Sequence, residues 1–411
     1  MHKSRLFFSI LLVSGSLVTS AAVVGASTTH AKSTYSIMSI TPQPSDGLDQ
    51  SLGQQAWVDQ INADGGIDGH HINLIKCFAG TFTAETEDEN FTCAQEAVSD
   101  HVLAVVGSTT NYDGSIFPIL AANRIPDIGN FPSSPADYTS PESFPLIGNE
   151  AALSAGIAVE LAQVGHCKKV AMIDEAGTAT TSMIDTTFAL GAKWAKAKVA
   201  PATDLTATVS DLTPTVAILD GEGVDCVADF LTGTLAALLT AIKDSGVPMK
   251  AGFVDAVVPA SELVAIGPNA DGVYADQWAQ DSGIVSNSQL AGSTSEERLM
   301  IADWHSYAPA ALDMSALCWP TFAAAVAFGQ ILKTVIADNL AVTGSDMLKV
   351  MKTITISTGL FPPVDFGTPA PVKAWPRIHV NAANFITVRD DAYVAVDRKT
   401  HSMNQALASY K

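Results

Sequence analysis

Residues Ala56 to Ile75 read A-W-V-D-Q-I-N-A-D-G-G-I-D-G-H-H-I-N-L-I, and this stretch decides the fold. Apolar Ala56, Val58, Ile61 and Ala63 alternate with polar Asp59, Gln60 and Asn62 at helical spacing. Asp64-Gly65-Gly66 supplies the permissive backbone that ends such a helix. A turn at Asp68-Gly69 then launches a strand through Ile72, Leu74, Lys76 and Cys77. Helix, Gly-Gly stop, Ile-x-Gly turn and strand together make half of a βαβ unit.

The same alternation runs outward from this stretch. Before it lies a strand at Tyr35 to Ile40, and after it a helix at Asn90 to Ser99, a strand at Leu103 to Gly107, a helix at Ile116 to Asn123 and a strand at Ile125 to Gly129. A Pro- and Ser-rich stretch, Phe131 to Pro145, precedes a restart. The second series runs helix Ala151 to Val164, strand Val170 to Ile173, helix Ser182 to Lys198, strand Val227 to Leu231, helix Thr234 to Ser245, and strands Lys250 to Val254 and Gly272 to Trp278. Strands that alternate with helices predict two α/β doubly wound parallel-sheet lobes.

The string at Ala56 to Ile75, taken in register, resembles the first βαβ unit of type I periplasmic solute-binding proteins, the leucine/isoleucine/valine-binding family. The resemblance covers the chain from about Tyr35 and weakens after Ser282. It implies two lobes joined by a three-crossing hinge near Phe144 to Asn149, Gln277 to Gly283 and Gly344 to Thr353. On that reading residues 32–146 begin the N-terminal lobe, 147–279 the C-terminal lobe, 280–345 return to the first, and 346–411 close the second. Glu296 to Tyr307 and the apolar helix Ala316 to Ile336 match the returning helices. F-P-P-V-D-F-G at Phe361 to Gly367 and the strands near Ile378 and Tyr393 match the closing hairpin.

With 411 residues the chain can bury two cores of ordinary size. It carries 42 Asp and Glu against 22 Lys and Arg, a net charge of −20. That balance argues against a nucleic-acid or anionic-membrane partner, both of which need a basic footprint. Residues 1–31 read as a signal peptide: a basic start at His2-Lys3-Ser4-Arg5, an apolar run from Leu6 to Val13, and Ala26 or Ala31 before a cleavage site. The expectation is a periplasmic or extracellular monomer with no membrane insertion after signal removal, since no later segment looks apolar enough to span a bilayer.

Cysteine placement fits an oxidising compartment. Cys77 ends one strand and Cys93 starts the next helix; Cys167 and Cys226 each precede strands that neighbour one another in a sheet of order 2-1-3-4-5. Bridges Cys77 to Cys93 and Cys167 to Cys226 are expected, leaving Cys318 single. Free thiols or metal ligands are the alternatives, and no C-x-x-C or close His/Cys cluster supports a metal.

Ligands of open parallel sheets sit off the carboxyl ends of the strands. After one strand stand Ser108, Thr109 and Thr110 at a helix start, suited to a carboxylate or, more plainly, to capping their own helix. The family resemblance implies that this loop holds an amino-acid carboxylate, with Gly129, Asn130 and Phe131 beside it. Across the cleft the candidates are Glu175, Thr232 and Asp255, and the carboxylates of Asp174, Glu175 and Asp255 serve either a ligand's amino group or a local turn. Thr232-Gly233 stands where the family often places a glutamate. No G-x-S-x-G, H-E-x-x-H, Walker loop or G-x-G-x-x-G follows a strand, so neither an enzyme nor a cofactor is expected. The implied partners are a small molecule, an amino acid or related carboxylate or amide, and the membrane permease of an ABC importer; the alternatives are the ligand-sensing module of an envelope receptor system and, behind it, an enzyme on the same fold.

Overall fold

The computed structural model describes residues 33–44, 49–81, 86–110, 113–146, 148–176, 181–206, 209–254, 258, 260–278, 318–358, 360–390 and 392–411. The expected signal peptide, Asp255, Glu296 to Tyr307 and most of the middle hinge crossing lie outside these residues.

The opening stretch folds as its residues dictate. Strand β1 (Tyr35–Gln43) leads to helix α1 (Leu52–Ala63), which ends where Gly65 and Gly66 adopt φ of 93° and 82°. A Cβ on Gly66 would collide with the His70 carbonyl, so the turn requires glycine. Asn62 then fastens the helix to the next strand: its Nδ2 donates to the Ile72 carbonyl and its Oδ1 accepts the Ile72 N–H, both at 2.8 Å. Strand β2 (Ile72–Thr81) pairs in parallel with β1.

Helix α2 (Glu87–Ser99) starts at Thr86, whose hydroxyl oxygen accepts the Glu89 N–H, and Glu87, Asp88 and Glu89 complement its positive end. Strand β3 (Val105–Val106), helix α3 (Asp113–Asn123), strand β4 (Asp127–Ile128), the short helix α4 (Pro135–Thr139) and strand β5 (Ser143–Phe144) complete the first sheet. Its order is β2-β1-β3-β4-β5.

Asn149 caps helix α5 (Glu150–Gln163), which opens the second lobe. There follow β6 (Lys169–Glu175), α6 (Thr181–Trp194), β7 (Lys198–Val199), β8 (Thr203–Leu205), α7 (Thr213–Gly221), β9 (Cys226–Asp229), α8 (Leu235–Ser245), β10 (Lys250–Val254), α9 (Ala260–Ile266) and β11 (Tyr274–Trp278). These strands take the order β7-β6-β9-β10-β11, with β8 also on β6. The order repeats that of the first sheet, as the tandem pattern predicts.

Helix α10 (Cys318–Ala337) returns to the first lobe, where Phe322, Phe328, Ile331 and Leu332 share a core with Trp57 and Ile37. Contrary to expectation, a stretch long and apolar enough to cross a membrane is present, Pro320 to Ala337; two thirds of it is buried inside the protein against α1. The last part of the chain also departs from the expected boundary at 346. Met347 and Leu348 of α11 (Gly344–Val350), Ile356 of β12 (Thr355–Ile356) and Val364 of β13 (Val364–Asp365) all enter the first core. The chain then crosses over: Val372, Trp375 and Ile378 share a core with Ala151, Ala155 and Val159 of α5, and β14 (Ala382–Arg389) and β15 (Ala392–Ser402) follow. These extend the second sheet as antiparallel strands beyond β11.

Each lobe carries one disulfide. Cys77 to Cys93 ties β2 to α2 with Cα atoms 5.7 Å apart, and Cys167 to Cys226 ties the entry of β6 to β9 at 6.0 Å. Both match the pairing expected from the sequence.

Candidate functional site

In the first sheet the strand order reverses between β1 and β3, and the loops beyond their carboxyl ends form the crevice where open sheets bind ligands. The loop after β3 turns at Gly107, with φ of 63°. Gln54 of α1 holds that turn, donating from Nε2 to the carbonyls of Val106 at 3.0 Å and Gly107 at 3.2 Å. The candidate residues Ser108, Thr109 and Thr110 follow, all buried.

The hydroxyls of Ser108 and Thr109 are engaged by the protein itself. Ser108 Oγ donates to Asp127 Oδ2 at 2.5 Å, and Thr109 Oγ1 donates to Gln50 Oε1. The Thr110 carbonyl accepts the Ser133 hydroxyl at 2.7 Å. Ser108 was expected to offer its proton to a ligand; a buried carboxylate on the next strand claims it instead. Burial pushes Asp127 up to about 7, against the opposing pull of the Ser108 hydrogen bond, and nearby Asp137 raises it further.

The loop after β4 packs alongside. Gly129 has φ of 74° and lies so close to Ala324 of α10 that a Cβ would overlap it. Asn130 is fully buried and uses its whole amide: Nδ2 donates to Asp137 Oδ1 at 2.6 Å and Ser143 Oγ at 3.0 Å, while Oδ1 accepts the Phe144 N–H at 3.1 Å. The Phe131 N–H donates to the Ser108 carbonyl at 2.8 Å, closing the two loops onto each other. The six first-lobe candidates are thus brought together, as one rigid ledge.

The second sheet reverses between β6 and β9. Glu175 is exposed at the end of β6, and Thr232 is exposed in the turn after β9. Beneath them lie two carboxylates. Asp229 is buried, accepts the Leu231 N–H at 3.0 Å and the Thr234 hydroxyl at 2.9 Å, and is raised to about 7 by burial. Asp174 is likewise raised to about 7 by burial, reinforced by Asp185, Asp204 and Glu175. Sequence reasoning did not single out Asp127 and Asp229, the buried carboxylates beneath the candidate loops. The available signal was an acidic residue inside an otherwise apolar strand, in Ile125-Pro126-Asp127-Ile128 and Cys226-Val227-Ala228-Asp229.

Among the described residues one group of His, Cys, Asp and Glu has metal-ligand spacing: Cys167, Asp225 and Cys226. The two sulfurs are bonded to each other, and Asp225 accepts the Lys168 and Lys169 N–H groups at 2.8 and 2.9 Å. His70 stacks on Tyr35 with ring centroids 4.4 Å apart. That histidine therefore fastens the entry of β1 to the turn before β2.

A family model described as periplasmic binding protein matches residues 41–373. No curated protein matches the chain. Among solved structures, a branched-chain amino acid ABC transporter protein from Thermus thermophilus with bound valine superposes with a TM-score of 0.73 at 13% identity, covering 92% of this chain and 99% of that one. A solute-binding protein from R. palustris in complex with 4-hydroxybenzoate gives 0.71 at 16% identity, covering 90% and 97%. The leucine-binding protein LivK from Thermotoga maritima gives 0.68 at 11% identity, covering 90% and 99%. Likeness at these identities establishes the fold.

Proposed function

The chain belongs to the periplasmic binding protein family, and from that premise we propose that it is an exported, monomeric protein that captures a small solute between two lobes and delivers it to an ABC importer. One observation carries the reading. Two parallel sheets share the order 2-1-3-4-5, so each lobe presents the loops of its own reversal point to a ligand. The first lobe contributes the ledge of Ser108 to Thr110 and Gly129 to Phe131. The second contributes Glu175, Thr232 and, beyond the described residues, Asp255.

The first-lobe ledge suits the carboxylate or amide end of an amino acid or related solute, because loop backbone held in place by its own side-chain hydrogen bonds orients such an end at little entropic cost. Contacts from both lobes favour the closed arrangement over the open one, and ligand binding then drives closure by that difference in affinity. Binding without turnover follows.

The test is a thermal-shift screen of the full chain against amino acids, aromatic acids, amides and fatty acids, followed by small-angle scattering with any solute that raises the melting temperature. The expected result is a smaller radius of gyration with unchanged secondary structure. An unchanged radius together with chemical conversion of the solute would establish an enzyme instead.

A further inference from the structure

At the carboxyl end of β6, carboxylates gather with no ion-paired cation among the described residues. Asp174, the residue before last in β6, lies in register with Asp204 of β8. Asp185 stands early in α6, whose first residue, Thr181, donates its hydroxyl to the Glu175 carbonyl at 2.7 Å. Exposure grades outward: Asp174 is 4% exposed, Asp185 half-buried, and Asp204 and Glu175 open to solvent.

Asp174 Oδ1 accepts the Glu175 N–H at 2.7 Å, but Asp174 Oδ2 is buried with no hydrogen-bond partner, and so is Asp185 Oδ1. The charges acting on Asp174 are those of Asp185, Asp204 and Glu175, all acidic. No Lys or Arg among the described residues forms an ion pair with any of the four. Once ionised, a carboxylate only accepts, so above about pH 7 the unpartnered Asp174 oxygen calls for a donor from outside the protein.

A lone metal ion is a poor occupant, because these oxygens do not converge as the Cys167, Asp225 and Cys226 ligand atoms do. A guanidinium fits better. It is planar, permanently charged and carries five N–H donors pointing in several directions, which lets one group serve separated carboxylates.

We propose that the second-lobe side of the cleft takes a guanidinium-bearing solute, with Asp174 at the floor and Asp185 beside it as its acceptors. This rests on the solute-binding reading and narrows it to a ligand class. The first-lobe ledge then meets the other end of the same molecule.

Four probes separate the ends. Agmatine carries a guanidinium without a carboxylate, arginine carries both, and valine and 4-hydroxybenzoate carry a carboxylate without a guanidinium. Calorimetry on the full chain should show agmatine and arginine binding, and Asp174→Asn should weaken agmatine by about tenfold or more. The same variant without ligand should melt no lower than the parent, because it removes an unpaired buried charge. Asp185→Asn should weaken agmatine too, and it serves where the Asp174 variant does not fold. Agmatine affinity unchanged by both substitutions would overturn the assignment. Binding of valine or 4-hydroxybenzoate with agmatine and arginine inert would overturn the guanidinium class and leave the solute-binding reading standing. If none of the four binds, the guanidinium class falls, and the broader screen alone then judges the solute-binding reading.

Discussion

At the reversal point of the first sheet, Ser108, Thr109, Asn130 and Asp137 all find partners inside their own lobe; at the matching point of the second, Asp174 and Asp185 keep buried oxygens with none. The sheets share one strand order, so topology does not explain the contrast. Side-chain chemistry does. Hydroxyls and amides both donate and accept and can close a network among themselves, whereas ionised carboxylates can only accept. The contrast is one of degree: Asp127 Oδ1 is left over in the first lobe and Asp229 is satisfied in the second, but on the proposed reading it is the pair Asp174 and Asp185 that a ligand would complete.

The disulfides offer the largest perturbation of this contrast. In the chain-entropy account the sequence separations of 59 and 16 predict about 4 kcal/mol of stabilisation for Cys167 to Cys226 and about 3 kcal/mol for Cys77 to Cys93. Denaturant unfolding of Cys167→Ser/Cys226→Ser and Cys77→Ser/Cys93→Ser should rank the losses in that order. A reversed ranking would mean that the first lobe, not the second, leans harder on its crosslink.

Asn130→Ala should follow, costing about 3 kcal/mol, since it removes the donor to Asp137 Oδ1 and Ser143 Oγ and leaves the buried Phe144 N–H without its acceptor. Ser108→Ala should cost about 2 kcal/mol in folding stability by removing the hydrogen-bond donor on Asp127 Oδ2. Stability unchanged in either variant would break the picture of a ledge locked by its own partners. Thr232→Ala, in an exposed turn, should stay within about 0.5 kcal/mol of the parent.

pH sharpens the comparison further. Burial raises Asp127, Asp174 and Asp229 from 3.8 to about 7. Each therefore binds its proton more tightly when folded, so its stabilising contribution is full below the unfolded value and lost as pH climbs through about 7. Between pH 7 and 6 the gain is about 1 kcal/mol for each group. The melting temperature should rise on acidification over this range. Asp127→Asn and Asp174→Asn should each remove their lobe's share of the slope.

How much of this was legible beforehand depends on range. The helix Leu52 to Ala63, its glycine stop and the strand after it follow from residues within one turn of each other, and their regular alternation carried the fold through to Trp278. The disulfide pairs were legible because strand order places their ends together. The segment 347–366 was not, since its apolar residues suit either core and only packing against α10 and the first sheet decides. Ser108 was rightly placed in a strand-end loop, but its partner Asp127 lies 19 positions on. Nothing in local spacing says which serine meets which aspartate.

Asn149 does more than begin a helix. Its Oδ1 accepts the Ala152 N–H at 2.9 Å, while its Nδ2 reaches the Val380 carbonyl at 2.9 Å and Asn381 Oδ1 at 3.2 Å. One stretch of chain leaves the first sheet just before it, and the other enters the second sheet just after Asn381. A single amide thus pins two connecting cords side by side, as a bolt through two straps. On the proposed closure this tie would make the two cords bend together, so that the lobes swing about one common line and a solute meets jaws approaching along a single arc.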